Sequence, residues 1–112
     1  MDCIFCNIAK GVIPSKRAYE DERILAFHDI HPQAPVHILV IPKVHIPSVN
    51  GVNFDNADVV GHIFAAIPLI AKEAGLAEGY RVITNIEKHG CQSVPHLHFH
   101  ILGGKQLTEK MD

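Results

Sequence analysis

The stretch His96-Leu97-His98-Phe99-His100-Ile101-Leu102, near the C-terminal end, decides how the chain is read. Histidine alternates with large apolar residues, and successive side chains of a β-strand point to opposite faces, so the pattern fits a strand and not a helix. On that reading the strand runs through His96–Leu102. Leu97, Phe99 and Ile101 enter a core, and His96, His98 and His100 share the other face, about 6–7 Å apart along it. Such a row of imidazoles could hold a metal, bind an anion or move a proton.

Working outward, Val36–Pro42 is rich in β-branched residues and reads as a central strand. His37 within it is by default a satisfied core or edge histidine, unless it faces the row. Ile24–His28 is a second strand, closed by the rigid loop Asp29–Pro35 with its two prolines. Tyr19–Asp21 and Gly79–Asn85 supply two more strands. Asp55 or Asn56 can cap a helix that runs to about Ala74, with Gly75 past its end. Pro68 inside it predicts a kink near 64–68, because the ring removes an N–H and crowds the preceding turn. His62 falls on that helix's surface, and His45 lies in the loop Lys43–Asn53. At the start of the chain, Asn7–Lys10 fits one helical turn ended by Gly11. The order β-β-β-α-β-β with short connections gives an antiparallel sheet of the α+β class. One main helix on a short sheet leaves another surface open, so dimerisation is expected.

Composition narrows the function. A chain of 112 residues that is 47 % hydrophobic supports one domain, residues 1–112, with a packed interior. The net charge of −2 and the lack of any basic run beyond Lys16-Arg17 speak against nucleic acid as a partner. No signal peptide is visible and no apolar stretch is long enough to span a bilayer, so a cytoplasmic protein without a membrane partner is expected. The odd cysteine count of three fits reduced thiols. Cys3-x-x-Cys6 lies too close to the N-terminus for a thioredoxin-like strand. It is left as two thiols or as half of a metal site.

Two chemistries suit the histidine strand. It could share a catalytic zinc, although no carboxylate stands near it in sequence. Alternatively, a neutral imidazole could attack phosphorus, with donors from Asn85, Ser93 and the backbone around Gly90 and Cys91 holding the phosphate oxygens.

The motif His-apolar-His-apolar-His-apolar-apolar at 96–102 resembles that of the histidine-triad (HIT) superfamily. Phe27-His28-Asp29-Ile30, Pro32-Gln33-Ala34-Pro35, Ile41-Pro42-Lys43 and Gln92-Ser93-Val94 extend the resemblance from about Asp2 to Leu107, toward the Hint branch of purine nucleoside phosphoramidases. It implies a five-stranded sheet with one main helix and a short N-terminal helix, joined to a partner's sheet in a ten-stranded homodimer. It implies purine nucleotides, AMP or GMP and their phosphoramidates, as ligands, and no catalytic metal. His98 would be the nucleophile, and His100 would bind phosphate and assist the leaving group. His96 and His37 would support them by pairing across strands. Asn85, Ser93, Val94 and Cys91 would hold the phosphate, and Asp29 the ribose. Ile4, Phe5, Ile8, Phe27, His28, Ile30 and Leu39 would surround the base. A structural zinc would sit on Cys3, Cys6, His45 and His96. A nucleotide-binding adaptor without turnover is the alternative function. The tail 105–112, Pro95 and Cys91 depart from the pattern of the animal relatives.

Overall fold

The computed structural model describes residues 3–112; Met1 and Asp2, where the resemblance begins, lie outside the described residues. A short helix α1 (Ile4–Ala9) precedes three strands, β1 (Arg17–Glu20), β2 (Ile24–His28) and β3 (Val36–Pro42). The long helix α2 (Ala57–Glu73) then leads to β4 (Tyr80–Ile83) and β5 (Phe99–Gly103). The sheet order is β1-β2-β3-β5-β4, with every neighbouring pair antiparallel. This is the five-stranded α+β arrangement the sequence leads one to expect. The connection through α2 carries the chain past the β5 position, so the last strand to form in sequence fills the slot beside β3.

The alternation of each strand sorts its side chains onto two faces. Ile24, Ala26, Ile38, Val40, Phe99 and Ile101 pack under α2 against Ile63, Ile67 and Ile70. Leu25, Phe27, Leu39 and Ile41 face the other way and meet Phe5 and Ile8 of α1. Of the described residues, the larger of the two buried apolar clusters lies between the strands and α2, so this side contributes most of the hydrophobic stabilisation.

Several boundaries differ from the expectations. The histidine strand begins at Phe99, not at His96. Continuing the register of Val40↔Phe99 would set Leu97 against Pro42, which has no N–H to give to a ladder. Leu97 instead donates its own N–H to the Ile46 carbonyl. The alternation survives without the ladder, since Leu97 still packs on the α2 side. Near the N-terminus the helix covers Ile4–Ala9 and thus includes Cys6, because the Cys3 sulfur caps it by accepting the Cys6 N–H at 3.3 Å. Asn56 stands at the N-cap of α2, but its side chain makes no cap bond and accepts from the Asn53 N–H instead. Pro68 lies inside the long helix, as expected, on its exposed side. His62 on α2 is not a free surface residue: its Nε2 lies 2.7 Å from Asp21 Oδ2. That contact, with the Tyr19 hydroxyl and the backbone N–H groups of Arg23 and Ile24, holds the Asp21 carboxyl well below the usual range despite the opposing effect of burial.

Candidate active site

On the α1 side, β2, β3 and β5 contribute a cavity of about 510 Å³, closed on one flank by α1 and on another by Ser93-Val94. Its apolar part is formed by Ile4, Phe5, Ile8, Phe27, Ile30 and Leu39. Its polar end carries Asp29, Ser93, His98 and His100. Ile4 and Ile30 are largely exposed and form its rim. The structure thus brings together most of the expected residues. Asn85 and Cys91 are not in the lining. The Asn85 amide donates to the Gly90 carbonyl at 2.7 Å and so braces the loop that precedes the motif. Cys91 is exposed at a positive φ of 60° within that loop. Four further lining residues escaped the sequence reading: Ile13, Pro14, Ser15 and Lys16, which follow α1 into β1. Nothing local marks them, because they reach the slot only through β1 pairing with β2.

The hydrogen-bond partners fix the state of each imidazole, since a carbonyl can only accept and a backbone N–H can only donate. His98 Nδ1 lies 2.7 Å from the His96 carbonyl, so Nδ1 carries the proton and Nε2 is left with its lone pair. Burial pushes the His98 pKa down, against the opposing pull of that carbonyl and Asp29, so the ring is neutral at pH 7. His37 Nδ1 accepts the Gln33 N–H at 3.0 Å; its proton is therefore on Nε2, which faces His100 Nδ1 at 2.8 Å. His100 must then carry its own proton on Nε2. Burial lowers the His100 pKa to about 4, helped by His98 and His37 and opposed by Asp29. Asp29 Oδ1 accepts the His31 N–H at 2.8 Å, and Oδ2 lies 3.5 Å from His37 Nε2.

His96 has a different task from the other two. It is fully buried, its Nε2 donates to the Pro42 carbonyl at 2.8 Å, and its Nδ1 lone pair points away from the slot. It does not pair with His37, as the sequence reading expected; His37 pairs with His100. The reason is the register: His37 is set against Leu102, one step from His100 on the same face, whereas the same register carried on would set His96 against Lys43, six residues from His37. The His96 Nδ1 meets Cys3 Sγ at 3.3 Å, Cys6 Sγ at 3.5 Å and His45 Nδ1 at 3.2 Å, and Cys6 Sγ lies 3.3 Å from His45 Nδ1. Ligands at about 2.0–2.3 Å from one tetrahedral ion would be separated by about 3.3–3.8 Å. The four atoms therefore fit a Cys2His2 metal site, and the fit comes from residues far apart in sequence. Phe5, between the two cysteines, sets its ring edge-on to His98 with centroids 5.1 Å apart.

A neutral imidazole with a free lone pair, an N–H donor beside it and a slot lined by both apolar and polar residues define a histidine-triad site on a HIT fold. Residues 10–107 match the HIT domain, and the chain belongs to that family. Its solved likenesses include a histidine triad protein from Clostridium difficile, with TM-score 0.95 and 52 % identity, covering 98 % of this chain and 96 % of that one. A HIT family hydrolase from Clostridium thermocellum has TM-score 0.95 and 47 % identity over the same shares of the two chains. The purine nucleoside phosphoramidase of Escherichia coli K12 is 45 % identical over 107 residues, 95 % of this chain and 90 % of that protein. A 14 kDa zinc-binding protein of Zea mays is 46 % identical over 107 residues, 94 % of this chain and 84 % of that protein. The chain is accordingly an enzyme of the HIT type. Among the described residues, no helix is long and apolar enough to cross a membrane.

Proposed function

We propose that this enzyme cleaves purine nucleoside phosphoramidates, with acyl-adenylates as a related substrate class, through a nucleotidyl-histidine intermediate on His98. The observation that carries the reading is the bond from His98 Nδ1 to the His96 carbonyl, which leaves Nε2 unprotonated at the polar end of the slot. Attack by Nε2 forms the N–P bond and breaks the bond to the departing amine. That amine takes its proton from solvent as it leaves, while the Nε2–H of His100, positioned by its pair with His37, donates a hydrogen bond to the departing nitrogen. Water then cleaves the N–P bond, returns a proton to the site and releases the nucleoside monophosphate. Ser93 and the Val94 backbone hold phosphate oxygens. Asp29 takes the ribose hydroxyls, and the Phe5–Leu39 walls sandwich the base.

Asn85 acts on the phosphate through the loop it braces, and Cys91 through the backbone of that loop. Zinc at Cys3, Cys6, His45 and His96 is structural, since all four positions are taken by protein. In this reading residues 1–112 form one domain in the cytoplasm. Two copies join at the free edge of β4, where Tyr80 and the outer α2 residues Phe64 and Leu69 are exposed, into a ten-stranded homodimer.

Rapid quenching of the enzyme with adenosine 5′-phosphoramidate, followed by peptide mass analysis, tests the mechanism. An adenylyl group on the peptide carrying His98 is expected. Full turnover with the label absent from His98, or activity retained in His98→Ala, would overturn it.

A further inference from the structure

Cys3 and Cys6 take no part in the displacement, yet they sit on the same six-residue helix as the wall of the base slot. A helix that short is far below the ~12–15 residues that hold helical structure alone in water, so α1 persists only while it is docked. Two sets of contacts dock it. Phe5 and Ile8 bury against Leu25, Phe27, Leu39 and Ile41. The two sulfurs meet the ring nitrogens of His45 and His96. The cluster also reaches the nucleophile by two routes: Phe5, between the cysteines, abuts the His98 ring, and His96 lends the carbonyl that fixes the His98 tautomer.

The sulfurs are placed for a second chemistry. Both approach the same His96 Nδ1, at 3.3 and 3.5 Å, Cys3 Sγ also accepts the Cys6 N–H, and the two sulfurs lie within 4.8 Å of each other. Cys6 is the half-buried, reachable member, while Cys3 is buried behind it.

We propose that Cys3 and Cys6 are a reversible oxidation site for a peroxide, and that forming their disulfide undocks α1 and disables the nucleotide slot. The proposal rests on the reading of that slot as a nucleotide site. Cys6 attacks one peroxide oxygen, the O–O bond breaks, and a sulfenic acid and one water form. Cys3 then displaces the hydroxyl as a second water and closes the S–S bond. Two thiols are oxidised and one peroxide is reduced. Bonded at about 2.05 Å, the sulfurs no longer spread around a common centre and no longer act as thiolate ligands. Any bound metal leaves, and α1 is held only by its apolar contacts, chiefly Phe5 and Ile8. The apolar packing beneath α2 does not involve α1, so the sheet stays folded. A small thiol reductant reverses the step.

The experiment takes the full-length, reduced, metal-loaded protein through a hydrogen peroxide titration. Peptide mass mapping, metal release to a coloured chelator, AMP affinity by calorimetry, far-UV circular dichroism and the NMR contact between the Phe5 and His98 rings are followed together. The expected result is a Cys3–Cys6 disulfide, metal release in step with it, and loss of the Phe5–His98 contact. AMP affinity falls tenfold or more, circular dichroism is unchanged, and dithiothreitol with zinc restores the starting state. The proposal is overturned if AMP affinity stays within twofold once the disulfide is complete. It is equally overturned if peroxide modifies Cys91 and leaves Cys3 and Cys6 reduced, or if oxidation unfolds the whole chain. Failure of the reduced protein to bind AMP would instead sink the nucleotide reading. The ring contact would then still judge the undocking, and its persistence in the disulfide form would overturn the proposal.

Discussion

Beneath α2, Ile24, Ala26, Ile38, Val40, Leu97, Phe99 and Ile101 meet Ile63, Ile67 and Ile70 in a wholly apolar contact. On the opposite side of the same strands, Leu25, Phe27, Leu39 and Ile41 share their surface with His37, His98 and His100, covered by only six residues of helix. Strands β2, β3 and β5 therefore contribute alternate residues to an apolar layer under α2 and to one that carries the imidazoles. The first layer tolerates no polar atom. The second places His37, His98 and His100, with the fully buried His96 beside them, where main-chain carbonyls, main-chain N–H groups and one another satisfy them, and no buried side-chain nitrogen or oxygen among the described residues lacks a partner. Separating the two tasks lets the chemistry be altered without unfolding the sheet, and the reverse.

Substitutions on each side should break along that line. His98→Ala is expected to lower kcat by about 10⁴-fold or more while the far-UV spectrum is retained, as steady-state assays and circular dichroism would register. A mutant with nearly full activity would dissolve the distinction between the faces. Ile63→Ala, under α2, should destabilise the fold by about 2–5 kcal/mol in urea titration and leave kcat of the folded fraction unchanged. His37→Ala should cost about 10–100-fold in kcat, because it frees His100 Nδ1 and lets the proton choose either nitrogen.

Acid separates the layers in another way. The His100 pKa is depressed in the folded chain to about 4, from 6.5. Between those values the unfolded chain takes up a proton that the folded one refuses. Stability should therefore be full above about pH 6.5 and decline as pH falls toward 4. In a His100→Gln variant that part of the decline should vanish from the melting-temperature profile. The smallest effect is expected at the hairpin edge, where His62→Gln removes a partner from the half-exposed Asp21 and should cost no more than about 1 kcal/mol.

The alternation at 96–102 was enough to orient Leu97, Phe99 and Ile101 inward, and the apolar run at 36–42 was enough to identify the central strand. Helix periodicity gave α2 to within a few residues. The full Cys2His2 set was visible only through the resemblance. Cys3, Cys6, His45 and His96 are separated by as many as 93 positions, and no local periodicity links them. His62 escaped for the same reason, since Asp21 is 41 residues away.

Side-chain order along the chain, a local property enforced by the two-residue repeat of an extended backbone, determined which residues face which layer and that three imidazoles would be close. It could not determine what each ring nitrogen does. That depended on the carbonyls of Pro42 and His96 and the N–H of Gln33, main-chain groups that residues carry alike, proline lacking only the N–H. Only tertiary packing selects among them, so only the folded chain divides the row into a buried cluster histidine, a neutral ring with a free lone pair on Nε2 and a donor held by its neighbour.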